Sequence, residues 1–136
     1  MGLTTPKARI LIIDDSRVAR RMLVGQFKEL GYQSIVEAES AEQGLERLFE
    51  SRQGEPFSLI VTDLRMPGMS GDEFIRKIHQ EPDFKKIPKL ILTVETERGV
   101  VLNSLLTGAD GFILKPITVA VLKDKIAKLI DKERKP

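Results

Sequence analysis

Four short apolar runs constrain this 136-residue chain more than any other feature: Ile10 to Ile13, Phe57 to Val61, Leu90 to Leu92 and Phe112 to Leu114. Each is too short for a typical helix and is mostly β-branched or aromatic, which predicts strands buried on both faces. A fifth run, Ser34 to Ala38, carries polar neighbours and predicts an edge strand. Between the runs lie segments of helical spacing. Val18, Met22, Leu23, Phe27 and Leu30 predict one apolar helix face, ending at Gly31. Ser40 with Gln43 and Ser70 with Glu73 fit capping boxes, in which side chains satisfy the backbone N–H groups left free at a helix start. Gly54 to Pro56 punctuates the return to the third strand, and Pro82 and Pro88 bracket the approach to the fourth. Strand and helix alternate five times, a pattern that folds as a mostly parallel sheet with helices on both faces, because each right-handed crossover needs a helix. The fold class is α/β.

Composition agrees with one core. Hydrophobic residues make up 41% of the chain and charged residues 31%, which argues for a soluble globular domain and against a largely disordered one. Lys plus Arg number 22 and Asp plus Glu 20, and a net charge of +2 is too small to predict direct nucleic-acid binding. Cysteine is absent, which excludes disulfides, thiolate zinc sites and cysteine nucleophiles. Met1 to Pro6 has no apolar signal region, and no run approaches the length of a membrane span. The expectation is a cytoplasmic protein with no membrane partner.

In a parallel sheet ligands bind at the carboxyl edge, so the residues that follow each strand carry the chemistry. Counting strands in chain order, the first leads into Asp14 and Asp15, the third into Asp63, the fourth into Thr93 and the fifth into Lys115-Pro116. A single Asp after a strand is ordinary turn chemistry. Three carboxylates at one edge repel, however, and one Lys leaves two negative charges uncompensated. An all-oxygen ligand set without His or Cys suits a hard ion, and a small, partly hydrated set suits Mg²⁺ better than a Ca²⁺ cage. An Asp beside Mg²⁺, a Lys and a hydroxyl is equipped to be a carboxylate nucleophile toward a phosphoryl group.

At these residues the chain resembles the receiver domain of bacterial two-component response regulators, in particular the single-domain chemotaxis type. The elements are the acidic pair of IIDDS, Asp63 in VTDLRMPGMSG, Thr93 in LILTVE and Lys115-Pro116 in GFILKP, and the resemblance covers residues 8 to about 132. It implies a flavodoxin-like (βα)5 domain over residues 8–132, with an N-terminal extension at 1–7, a tail at 133–136 and the strand order 2-1-3-4-5. It also implies that Asp63 takes a phosphoryl group from a sensor histidine kinase or phosphotransfer protein. In that reading Asp15 and Asp63 bind Mg²⁺, Asp14 binds it through water, and the Arg65 backbone carbonyl completes the protein ligands. Lys115 pairs with the phosphoryl oxygens, Thr93 moves toward them, and Phe112 occupies an aromatic switch position. The output is a surface of fourth helix, fifth strand and fifth helix that binds a downstream protein target.

Bland readings stand beside these. Phe112 also suits core packing, Thr93 a strand-end hydroxyl, and Gly68 and Gly71 simple turns. His79 reads as a surface residue outside the chemistry. Arg17, Arg20 and Arg21 form either a solvated face or a kinase-docking patch. Val101, Leu102, Leu105 and Leu106 span roughly 140° of a fourth helix, more than core burial needs. The stretch from Val121 to Pro136, with six basic and three acidic residues, is a terminal helix or the start of a linker. Arg65 and Val94 depart from the commoner pattern and bear on the lifetime of the phosphoryl group and on access to it. A Mg²⁺-dependent phosphohydrolase, a flavin module and a phosphorylation-independent receiver-like module are the rivals. Against the first stands Arg65, where such phosphatases place a second Asp. Against the second stands the acidic, glycine-free loop after the first strand. The complete set Asp14, Asp15, Asp63, Thr93 and Lys115 disfavours the third.

Overall fold

A computed structural model of the chain describes residues 2–94, 99 and 107–134. The elements run β1 (Arg9–Ile13), α1 (Arg17–Glu29), β2 (Ser34–Ala38), α2 (Ala41–Ser51), β3 (Leu59–Asp63), α3 (Gly71–His79), β4 (Lys89–Thr93), β5 (Gly111–Leu114) and a C-terminal helix (Val119–Arg134). All four strand pairings are parallel, and the sheet order is β2-β1-β3-β4-β5. The α/β class, the parallel sheet and the strand order are as the sequence implies. The valine and three leucines assigned to a fourth helix, Val101, Leu102, Leu105 and Leu106, lie outside the described residues.

The short apolar runs are continuous because successive side chains enter different cores. Ile10 and Ile12 face one cluster with Leu59, Val61, Leu90 and Leu92, covered by α1 and the C-terminal helix through Phe27, Leu122 and Ile126. Leu11 and Ile13 face the other with Ile60 and Ile91, covered by α2 and α3 through Leu48, Phe74, Ile75 and Ile78. β2 is only partly buried, as an edge strand should be. Burial of each such side chain contributes about 1.5–3 kcal/mol, so a polar residue in either alternation would be strongly destabilising.

The caps hold. Ser40 Oγ accepts from Gln43 N–H at 3.0 Å, while the Gln43 side chain accepts from Glu39 N–H at 2.8 Å. Ser70 Oγ accepts from Glu73 N–H at 3.4 Å. α1 closes at Leu30 with Gly31 at φ 101°, Gly31 N–H donating to Lys28 and Tyr32 N–H to Phe27. That pair of bonds is a Schellman closure, and its left-handed residue is the reason a glycine stands there.

Three expectations are corrected. Val18 and Met22 are 72% and 63% exposed, and the buried residues of α1 are Leu23, Val24 and Phe27. On a helical wheel Val18 and Met22 lie roughly 100° or more from Leu23 and Phe27, outside the stripe that meets the sheet. The third strand runs from Leu59 to Asp63, two residues later than Phe57 to Val61. Phe57 is buried, but its ring packs under the Arg9 guanidinium, 4.4 Å from the centroid, before the ladder begins. His79 is half-buried, with a buried Nδ1 that has no hydrogen-bond partner among the described residues. The imidazole lies where a Cβ on Gly108 would come within 2.6 Å of it. Burial pushes its pKa down, Lys89 and Lys85 push the same way, and Asp110 opposes them.

Candidate functional site

The carboxyl edge is built by backbone pairing. Asp14 N–H donates to Ala38 O of β2, which carries the turn after β1 out along the sheet direction. Asp63 is the last residue of β3 and is in register with Leu92, while Leu64 N–H donates to Leu92 O at 2.9 Å. Thr93 ends β4 beside Leu114 and is 3% exposed. Lys115 N–H donates to Thr93 O at 2.8 Å, so the lysine leaves β5 at the same edge, followed by a cis bond to Pro116.

These placements bring Asp14, Asp15 and Asp63 together, with one carboxylate oxygen from each within 4.8 Å of the others. Asp14 is buried, Asp63 half-buried and Asp15 exposed. Lys115 Nζ donates to Asp14 Oδ2 at 3.3 Å and pairs with Asp63 Oδ1 at 3.5 Å. Asp14 Oδ1 accepts from Ser16 N–H at 2.9 Å, so both Asp14 oxygens have protein partners. Asp63 Oδ1 accepts from Leu64 N–H at 3.0 Å.

Burial raises the Asp63 pKa above its ordinary 3.8, and the neighbouring Asp14 raises it further; the Lys115 charge and hydrogen bond and the Leu64 N–H pull it back. The Asp14 contribution is the repulsion between neighbouring carboxylates, which a bound cation would relieve. Three convergent oxygens, one of them exposed, fit a hard divalent ion that keeps part of its water shell.

Arg65 is exposed in the loop between β3 and α3, two residues beyond Asp63. Val94, after Thr93, is 69% exposed. Phe112 is half-buried against the cluster that contains Ile91, and Lys125 Nζ lies 5.4 Å from its ring centroid. The three α1 arginines differ in exposure and in what they touch. Arg17 and Arg21 are exposed, but the Arg20 side chain is 12% exposed and turns back to the sheet, donating to Asp14 O at 2.7 Å and to Glu37 Oε1 at 3.2 Å.

Gly71 is a second element that residue type alone left as a turn. Its φ is ordinary, whereas a Cβ there would stand 2.2 Å from the Asp63 carbonyl oxygen. The glycine is needed for close approach of α3 to the end of β3, while Gly68, at φ 79°, is the conformational one. Its spacing from Asp63 was the available signal, but only the packed backbone separates the two causes.

A chain with a parallel 2-1-3-4-5 sheet and an acidic cup beside a lysine at its carboxyl edge has the architecture of an open, doubly wound α/β domain with its candidate site where such sheets bind ligands. The profile of the response regulator receiver domain matches residues 10–127. The chemotaxis protein CheY-3 of Vibrio cholerae is 34% identical over 124 residues, covering 91% of this chain and 92% of that protein. Among solved structures, CheY4 of Vibrio cholerae superposes with a TM-score of 0.80 at 28% identity, covering 90% of this chain and 98% of that one. The signal receiver domain of a histidine kinase from Syntrophus aciditrophicus does so with a TM-score of 0.80 at 30% identity, covering 95% and 94%. The chain belongs to the response regulator receiver family of two-component signalling and is CheY-like. Among the described residues no helix is long and apolar enough to cross a membrane.

Proposed function

We propose that this receiver accepts a phosphoryl group on Asp63 from a phosphohistidine of a sensor kinase or phosphotransfer protein. The observation that carries the reading is the contact of a single lysine with two of three clustered carboxylates. An Asp63 carboxylate oxygen attacks phosphorus, the P–O bond forms as the P–N bond to imidazole breaks, and the imidazole nitrogen takes the leaving electron pair. Asp14, Asp15 and Asp63 would hold Mg²⁺ at the cup, and the ion would supply charge neutralisation for the transferring oxygens. Asp15, being exposed, supports direct ligation. Asp14 is engaged by Lys115 and Ser16, which supports contact through water, and the Arg65 carbonyl is assigned as the remaining protein ligand. Lys115 holds a phosphoryl oxygen, and Thr93 offers its hydroxyl to another.

The output reading follows from the same edge. Thr93 moves toward the phosphoryl group and Phe112 turns inward, away from Lys125, which changes the surface where Leu114 and Val121 are 43% and 42% exposed. A downstream protein binds there. The chain assists its own phosphorylation and dephosphorylation and acts on no external substrate. Exchange with a kinase places it in the cytoplasm.

Incubation of the full chain with Mg²⁺ and a phosphohistidine donor should add one phosphoryl group, seen by mass on the Asp63 peptide and absent from Asp63→Asn. Turnover of an external phosphate ester would favour the phosphohydrolase reading. No modification with any kinase or phosphotransfer donor would favour a phosphorylation-independent binding module.

A further inference from the structure

The Arg20 side chain is largely withdrawn from solvent. Its terminal N–H donates to the carbonyl oxygen of Asp14 at 2.7 Å, and its Nε donates to Glu37 Oε1 on β2 at 3.2 Å. The Asp14 carbonyl belongs to the peptide plane that also contains the nitrogen and Cα of Asp15. Holding that oxygen fixes the plane, and with it the directions in which both acidic side chains leave the backbone. Glu37 anchors the guanidinium from the neighbouring strand, since Ile12 and Glu37 are register partners in β1 and β2.

We propose that Arg20 is a positioning residue for the divalent cation: its two-pronged bond to Asp14 O and Glu37 sets the geometry of the Asp14–Asp15 ligand pair. The proposal rests on the reading of the cup as a Mg²⁺ site. Two different nitrogens of one rigid plane make the two bonds, so a shorter lysine at this position would have to reach both acceptors from a single ammonium instead of holding them at the fixed spacing of a guanidinium.

Charge and positioning predict opposite signs. Arg20 is a cation near a carboxylate cluster, so its field alone opposes Mg²⁺, and removing it would tighten binding. If it positions the ligands, removing it weakens binding despite that relief.

The test is calorimetric titration of Mg²⁺ into the metal-stripped full chain and its variants, with the Asp15 amide resonance followed in the metal-free state. Arg20→Gln is expected to weaken Mg²⁺ binding about tenfold, the scale of losses seen when groups that orient metal ligands are removed. Arg21→Gln removes the same charge from a side chain that touches Glu37 but not Asp14, and is expected to leave binding unchanged or tighter. Arg20→Lys keeps the charge and is expected to bind Mg²⁺ about threefold or more weakly, with the Asp15 amide shifted before metal is added. It decides the question by itself if Arg20→Gln does not fold. Wild-type affinity in Arg20→Lys, or tighter binding in Arg20→Gln, overturns the positioning role and leaves the cup intact. Failure of the wild-type chain to bind Mg²⁺ overturns the metal reading and the positioning role with it.

Discussion

Lys115 and Asp63 face each other across the carboxyl edge, Nζ 3.5 Å from Oδ1, although β4 lies between the strands that carry them. The same ammonium donates to Asp14 at 3.3 Å, so one cation offsets the repulsion between two carboxylates.

Replacing that cation should therefore divide two properties that usually move together. Lys115→Gln removes a donor aimed at the transferring group and is expected to slow phosphoryl transfer by about a hundredfold or more. It also removes a positive charge from the cup, so Mg²⁺ should bind as tightly as in the wild type or more so. Single-turnover transfer and metal titration on the same preparation check the division.

Asp63→Asn should stabilise the metal-free protein at neutral pH. The folded Asp63 holds its proton above the ordinary 3.8, through burial and Asp14, so its contribution is present at low pH and is lost as pH rises through the raised value. The amide never ionises. The variant's advantage should grow as pH rises from about 4 and then level off, and Mg²⁺ should shrink it by stabilising the wild type. An advantage of about 1 kcal/mol would appear as roughly 3–5 °C in Tm for a chain of this size. Thermal melts across pH, with and without Mg²⁺, read both effects.

Gly71→Ala places a methyl group against the Asp63 backbone carbonyl, 2.2 Å away before relaxation. Backbone must shift, and overpacking of this kind costs about 1–3 kcal/mol. Because the displaced atom belongs to the proposed phosphoacceptor, the yield of phosphorylated protein should fall along with the Tm. Denaturant unfolding and phosphopeptide mass analysis check the pair. Gly25→Ala, where nothing lies within 4 Å of an added Cβ, should leave the yield alone.

Lys89 is fully buried at the start of β4, where Nζ donates to the carbonyls of Phe84, Lys85 and Ile87 at 3.1, 3.0 and 2.7 Å. Burial lowers its pKa from 10.5 to about 8, against the opposing pull of Asp110. The unfolded chain therefore holds this proton more tightly, and stability should rise with pH between about 8 and 10.5. Lys89→Met should abolish that rise. It should also lose about 2–4 kcal/mol, because three carbonyls lose their donor. Urea unfolding at pH 8 and pH 10 measures both quantities.

The alternation of apolar runs and helical segments made the sheet legible, because strands buried on both faces need no polar residue along their length. Asp14, Asp15, Asp63, Thr93 and Lys115 were legible as edge residues because each immediately follows or ends such a run. Lys89 was not, since a lysine flanking a strand ordinarily reads as exposed. Its burial depends on three carbonyls of a preceding loop that only the packed chain supplies. Val18 and Met22 failed for the converse reason: hydrophobicity at helical spacing does not say how wide a stripe the sheet can cover.

Sequence patterning alone therefore carried the order of elements, the residue types at the sheet edge and the family resemblance. Periodicity and strand-end residue types are local properties of a chain. The tertiary structure alone decided that Arg20 turns inward to Asp14 while Arg21 stays in solvent, and that Gly71 is required by contact instead of by dihedral angle. It also decided that His79 is wedged against Gly108. Those outcomes depend on distances between segments remote in sequence, and such distances exist only after the two cores have closed around the sheet.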